Sequence, residues 1–324
     1  MSRVDEPALN ASDALPPAKA SLHPRNLHRG PYDFARLSAA HPPLAGFLRL
    51  DPRAGETIDF ADPEAVIALN TALLKACYGL ATWSLPPGYL CPPIPSRVDY
   101  LHHVADLLAG DGHLPRGRAI RLLDLGTGAN AIYALLAAQI YGWSVVGSEV
   151  DPVAAAHARR LVAANPSVAD RIEVRQQPDP AARLRNVVRA GETFDLLVCN
   201  PPFHASAADA RAASTRKLRN LGGGRRPRAV TLNFGGQAGE LWCDGGEVEF
   251  IRAIIAESAA DPGRCRWYTT LVAKSEHLPA LERALHGVRP REVRLIALAA
   301  GQKKSRILAW TFTGPKTDSS YQRK

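Results

Sequence analysis

Cysteine is scarce and scattered in this chain: five in 324 residues, Cys77, Cys91, Cys199, Cys243 and Cys265. An odd count with no C-x-x-C pair and no Cys/His cluster argues against a disulfide framework and against a zinc site. No metal is therefore expected, and a reducing, cytoplasmic setting fits best. Long apolar runs are also missing. None approaches the length needed to cross a bilayer, so no membrane association is expected. The opening MSRVDEPALNASDALPPAKA mixes acids with prolines and has no apolar centre, unlike a secretory signal. Residues 1–20 read as a disordered tail, and residues 316–324 as a short C-terminal one. Acidic residues are in the minority, 31 against 40 lysines and arginines, for a net charge of +9. That balance favours a polyanionic partner.

The 46% hydrophobic content suffices to fill a core, and the length suits one large α/β domain with an extension. After the tail comes a basic stretch with short helical patches, SLHPRNLHRGPYDFARLSAAHPPLAGFLRL. A helix follows in ADPEAVIALNTALLKACYGL, with Asp62 as its N-cap and Pro63 at its first position. LPPGYLCPPIPSR then places five prolines within residues 86–95, the pattern of a stiff connector. This divides the chain into an N-terminal extension, 21–95, and a main domain, 96–315. From AIRLLDLG onward, strands and helices alternate through SVVGSEVD, RIEVRQ, FDLLVCN and CRWYTTLVA. VRLIALAA and RILAWTF close the chain, joined only by GQKKS. Alternation predicts a doubly wound α/β fold with a mostly parallel sheet, and the closing pair adds an antiparallel edge.

LLDLGTGANA, 122–131, falls at the first strand-to-helix turn. Gly126 and Gly128 allow a sharp turn and close approach of a ligand. Glu149 ends the next strand, where a carboxylate can accept hydrogen bonds from two ribose hydroxyls. Together they indicate an adenosine-containing ligand, without choosing between a dinucleotide and S-adenosylmethionine. Asp124 helps to choose, because a carboxylate beside the glycines suits the ammonium of a methionine moiety and would repel a pyrophosphate. Arg97 can pair with the methionine carboxylate through a charge-assisted bond.

FDLLVCNPPFHAS, 194–206, interrupts an apolar strand with an amide, two prolines and an aromatic ring. Such a strand end lies near the cofactor turn in a doubly wound sheet. The nitrogen of a planar exocyclic amine is a poor nucleophile because its lone pair is delocalised into the ring. Asn200 and the Pro201 carbonyl can both accept its hydrogens and localise that lone pair. Pro201 and Pro202 hold the backbone still, and Phe203 can stack on the base for roughly 1–3 kcal/mol.

These segments resemble a family. The order DLGTG, SEVD, NPPF is similar to the class I S-adenosylmethionine-dependent amino-methyltransferases. HPRNLHRGPYDFARL, CPPIPSRVDYLHHVADLL, LGTGANAIYALL, LNFGGQAGELWCDGGEVEFIRAII and GQKKSRILAWTF narrow the likeness to the F-type bacterial ribosomal RNA adenine-N6 methyltransferases, over residues 22–312. The resemblance implies a Rossmann-like fold with a seven-stranded sheet and a small, mainly helical N-terminal extension. It also implies methylation of one adenine of 23S ribosomal RNA, position 1618 in the family's numbering. Arg97, Gly126, Asn130 and Glu149 then become cofactor contacts, and Asn200 to Phe203 the adenine-holding motif. The implied partner is 23S ribosomal RNA or a large-subunit assembly intermediate, met by a monomer.

Two basic clusters can dock RNA. One is the loop 209–230, with Arg216, Lys217, Arg219, Arg225 and Arg226, directly after the amide motif. The other is Arg25, His28 and Arg29 in the extension. Two other readings remain at this point. Asn-Pro-Pro followed by an aromatic also suits N-methylation of glutamine amides in a translation factor. The glycine turn alone would equally suit a nicotinamide-dependent oxidoreductase.

Overall fold

The computed structural model describes residues 22–52, 55–202, 243–300 and 303–314. The N-terminal part contains α1 (Phe34–Ala40), a hairpin of β1 (Leu48–Asp51) and β2 (Gly55–Ile58), and α2 (Pro63–Tyr78). As the sequence suggests, the Asp62 side chain accepts the Glu64 amide, Pro63 occupies the first turn, and α2 ends on Gly79 in the left-handed region, φ +65°. The hairpin was not expected. Its strands are largely exposed on both faces, so they lack the apolar alternation by which a strand is read. The proline run also does more than connect, because α3 (Ile94–Ala109) starts within it with a proline in its first turn, where the missing N–H costs nothing.

The main sheet has seven strands in the order β5-β4-β3-β6-β7-β9-β8. These are β3 (Arg121–Leu125), β4 (Ser144–Glu149), β5 (Ile172–Gln176), β6 (Phe194–Cys199), β7 (Cys265–Val272), β8 (Glu292–Ala300) and β9 (Lys303–Thr311). The pairs from β5 through β7 are parallel. β9 runs antiparallel between β7 and β8, so the antiparallel strand lies one position in from the rim. The connecting helices are α4 (Ile132–Tyr141), α5 (Pro152–Ala163), α6 (Gly246–Ala260) and α7 (Leu278–Val288). Strand order reverses between β3 and β6. Their connections leave in opposite directions there, which opens a crevice beyond the strand ends.

Strand side chains alternate between the two faces. Leu122, Leu196 and Val198 point to one apolar cluster with α2, α3 and α4. Leu123, Leu125, Leu197 and Cys199 point to a second, with Ile251 and Ile254 of α6 and Leu281 of α7. The first cluster also takes in Phe34, Leu44 and Ile58. Apolar packing thus runs straight through the proline segment, and the N-terminal part shares its core with the sheet. Among the described residues, no helix is long and apolar enough to cross a membrane, and no group of three or more His, Cys, Asp and Glu could hold a metal.

Candidate active site

The ends of β3, β4 and β6 meet at the crevice. Gly126 and Gly128 both take positive φ, +74° and +65°. A Cβ built on Gly126 would meet nothing within 4 Å, so the turn opens onto free space. Glu149 holds the turn from the next strand. Its Oε2 accepts the Gly128 amide at 2.9 Å, and its Oε1 accepts the amides of Val150 and Asp151 at 2.8 and 3.0 Å. Burial pushes the Glu149 carboxyl up, and these three amides oppose that. Ala131 starts α4 at φ 47°, a conformation that costs a non-glycine residue energy and that the surrounding packing must hold.

Asp124 is fully buried under this turn. Its Oδ2 accepts the Thr127 hydroxyl at 2.7 Å, while its Oδ1 is buried without a hydrogen-bond partner. Burial pushes its carboxyl up to about 7; the Thr127 hydroxyl opposes the shift and the Glu149 charge adds to it. Asn130 bridges to the proline segment. Its side-chain N–H approaches the Leu90 carbonyl at 3.4 Å, and its Oδ1 accepts the Ile132 amide at 3.0 Å.

Across the crevice, β6 delivers Asn200. Arg97 of α3, buried itself, donates from Nη1 to the Tyr133 hydroxyl at 3.2 Å and to Asn200 Oδ1 at 3.4 Å. Because a guanidinium only donates, the oxygen of the Asn200 amide must be the atom that faces it. A carbonyl oxygen carries two acceptor sites, so Oδ1 retains one. Gly126, Gly128, Asn130, Glu149, Arg97 and Asn200 all line one cavity of about 620 Å³, with Pro202 at its edge.

A protein-family model described as RNA methyltransferase matches residues 17–314. The chain belongs to this RNA methyltransferase family. It is 50% identical over 315 residues to the "Ribosomal RNA large subunit methyltransferase F" of Methylobacillus flagellatus, covering 92% of this chain and 94% of that one. The protein of the same name from Pseudomonas savastanoi is also 50% identical, with 95% and 94% covered. Among solved structures, the human METTL16 catalytic domain in complex with a MAT2A 3′UTR hairpin superposes with a TM-score of 0.76 at 32% identity, over 90% of this chain and 96% of that one. The METTL16 N-terminal domain in complex with SAH gives 0.71 at 28% identity, with 90% and 99% covered.

S-adenosylmethionine is the methyl donor of this methyltransferase, and the cavity fits it. Gly126 leaves room for a ligand against the backbone. The Asp124 carboxylate, buried beneath the turn, sets a negative potential that favours a cationic ligand above it. Glu149 has acceptor capacity left on Oε2, where only one donor is bound. Asp124 does not itself line the cavity; Thr127, which it holds, does. The sequence-based picture of direct contact with a ligand ammonium therefore becomes an electrostatic one. A cationic ligand binds best to the ionised carboxylate, so cofactor affinity should rise with pH and level off above pH 7. About tenfold per pH unit is the upper limit of this slope, and a carboxylate that acts through the turn should give less. Titration calorimetry with S-adenosylhomocysteine from pH 5.5 to 8 checks this, and Asp124→Asn should flatten the profile.

The basic residues of the N-terminal part are placed differently. His28 is not a surface cation: it is buried, and its Nε2 pairs with the Tyr78 hydroxyl at 2.8 Å. Arg25 is committed to Asp106 at 2.6 Å and to the His102 carbonyl at 3.0 Å, tying the segment before α1 to α3. Arg29 remains partly exposed. Phe203, Arg216, Lys217, Arg219, Arg225 and Arg226 lie outside the described residues. Sequence reasoning missed Leu90 and Pro92, which wall the cavity; the crowding of prolines immediately before Arg97 was the available signal. It also missed Gly147 of β4, where a Cβ would stand 3.0 Å from both Cβ and Oγ1 of Thr127. Arg183 and Phe250 line the far wall with the guanidinium 4.1 Å from the ring centroid, and no local pattern marks them.

Proposed function

We propose that this RNA methyltransferase transfers a methyl group from S-adenosylmethionine to the exocyclic N6 of one adenine in 23S ribosomal RNA. The observation that carries the reading is the Asn200 amide, oriented by Arg97 in the same cavity as the glycine turn and Glu149. When bound, the cofactor supplies an electrophilic methyl group. The chain's own contribution is to hold the acceptor amine. Asn200 Oδ1 and the Pro201 carbonyl accept hydrogen bonds from the two N6 hydrogens, which turns the nitrogen lone pair out of conjugation, and the prolines keep the pair of acceptors in register. As the nitrogen gains the methyl group it becomes acidic and releases one of these hydrogens as a proton to water. Phe203 is proposed to stack on the base. A base has to leave its stack to reach such a pocket, so the target lies in a loop or is flipped.

Methyl transfer from labelled S-adenosylmethionine to unmodified large-subunit RNA, followed by digestion to nucleosides, tests the reading. Label is expected in N6-methyladenosine. Label in a glutamine side chain of a translation factor, with none in RNA, would support the amide reading instead. Free RNA and assembling particles are to be compared as substrates. A cytoplasmic monomer is the proposed working form.

The loop 209–230 is proposed to grip RNA phosphates, with Arg29 as a second contact. Replacing Arg216, Lys217 and Arg219 by neutral residues should weaken RNA binding and reduce the slope of log affinity against log salt by about 2 to 3, at roughly 0.7–0.9 per phosphate contact. Filter binding across a salt series reads it. An unchanged slope would remove these residues from the interface.

A further inference from the structure

The backbone that presents Asn200 ends on an unusual hydrogen-bond chain. On the β7 side, β6 pairs as far as Leu197 opposite Tyr268. The Cys199 amide, one residue before Asn200, instead points to the hydroxyl of Tyr100 on α3 at 3.4 Å. That hydroxyl lies 2.8 Å from Thr269 Oγ1, and the Thr269 hydroxyl donates to the Leu197 carbonyl at 2.7 Å. Donor accounting sets the direction. The amide can only donate, and the single hydroxyl proton of Thr269 goes to Leu197, so the tyrosine proton must go to Thr269. The chain leaves β6 at Cys199 and returns to it at Leu197.

Tyr100 and Thr269 are both fully buried, so neither hydroxyl has water as an alternative, and burial holds the phenol protonated. Arg97 sits one helical turn before Tyr100 on the same side of α3. It bonds the Asn200 side chain, while Tyr100 bonds the backbone just before it. The Tyr100 ring also packs edge-on against Tyr133, the other partner of Arg97, with centroids 5.4 Å apart. One helix face thus holds the acceptor residue at two points.

We propose that Tyr100, with Thr269 behind it, is a positioning residue for methyl transfer, fixing the end of β6 so that Asn200 Oδ1 and the Pro201 carbonyl meet the amine together. The inference rests on the reading of Asn200 as the amine-holding residue. It is tested by steady-state kinetics, cofactor affinity and melting temperature for Tyr100→Phe, Thr269→Val and Thr269→Ser, beside Asn200→Ala. Tyr100→Phe and Thr269→Val should each lower kcat by roughly tenfold to a hundredfold, with cofactor Kd and KM for RNA unchanged. Thr269→Ser keeps the hydroxyl and should retain turnover. The double variant Tyr100→Phe/Thr269→Val should be no slower than the slower single one, because the chain is already broken.

If Tyr100→Phe does not fold, Thr269→Val against Thr269→Ser reads the same link. A kcat within about twofold of wild type for Tyr100→Phe or, in its place, Thr269→Val would overturn the inference alone where Asn200→Ala is slowed by the roughly 10²–10³ expected of it. Full turnover by Asn200→Ala would overturn the reading of Asn200, and this inference with it.

Discussion

Asn200→Ala should lower turnover by roughly 10²–10³, the range seen when one preorganised transition-state hydrogen bond is removed, while S-adenosylhomocysteine binds almost as before. The split follows from geometry. Asn200 reaches the cavity from β6, whereas the glycine turn and Glu149 reach it from β3 and β4. An amine hydrogen is best accepted when the nitrogen carries developing positive charge, so the bond from N6 to Oδ1 strengthens as the methyl group arrives. Asn200→Asp is the informative companion. It keeps an acceptor oxygen for Arg97, but it adds a negative charge to the cavity that Glu149, already pushed up by burial, also lines. Single-turnover kinetics separate chemistry from binding. Turnover of Asn200→Ala equal to wild type would remove the amide from the reaction.

Legibility of this site in the sequence depended on how local each constraint is. Gly126 and Gly128 show because the turn they make lies within a few residues, and their positive φ values are ones few other residues adopt. Glu149 shows because its distance from the glycines is set by one helix and one strand. Asn200 shows because an apolar strand has no reason of its own to end on an amide. Tyr100, Thr269 and Gly147 were invisible for the opposite reason. Tyr100 looks like one more apolar residue on the buried face of α3, and its meaning comes from Cys199, 99 residues away. Gly147 needs to be glycine only because Thr127 crosses it. His28 illustrates the converse error. A histidine among arginines reads as basic surface, yet here the ring pairs with Tyr78 from α2, 50 residues on. The hairpin of β1 and β2 was lost because strands exposed on both faces carry no pattern.

The second large effect is expected at Glu149, with the opposite kinetic signature. Its two oxygens already accept three backbone amides, so the carboxylate shapes the turn as well as offering the acceptor proposed for the ribose. Glu149→Ala would leave those amides unpaired in a largely buried place, at about 1–3 kcal/mol for each one that water cannot reach, and would confound folding with binding. Glu149→Gln separates the two. One amide oxygen can still serve Val150 and Asp151, but the NH₂ then faces the Gly128 N–H, donor against donor. The turn must shift, and one ribose hydroxyl loses a charged acceptor worth about 1.5–3 kcal/mol. With three of its acceptor sites already filled, Glu149 has one such bond to lose, and the expected rise in cofactor Kd is roughly tenfold to a hundredfold. The melting temperature without cofactor should fall by only a few degrees, and kcat at saturating cofactor should stay near wild type. Calorimetry with S-adenosylhomocysteine decides it. An unchanged Kd in Glu149→Gln would mean that the carboxylate serves the turn alone and that the ribose is held elsewhere in the cavity.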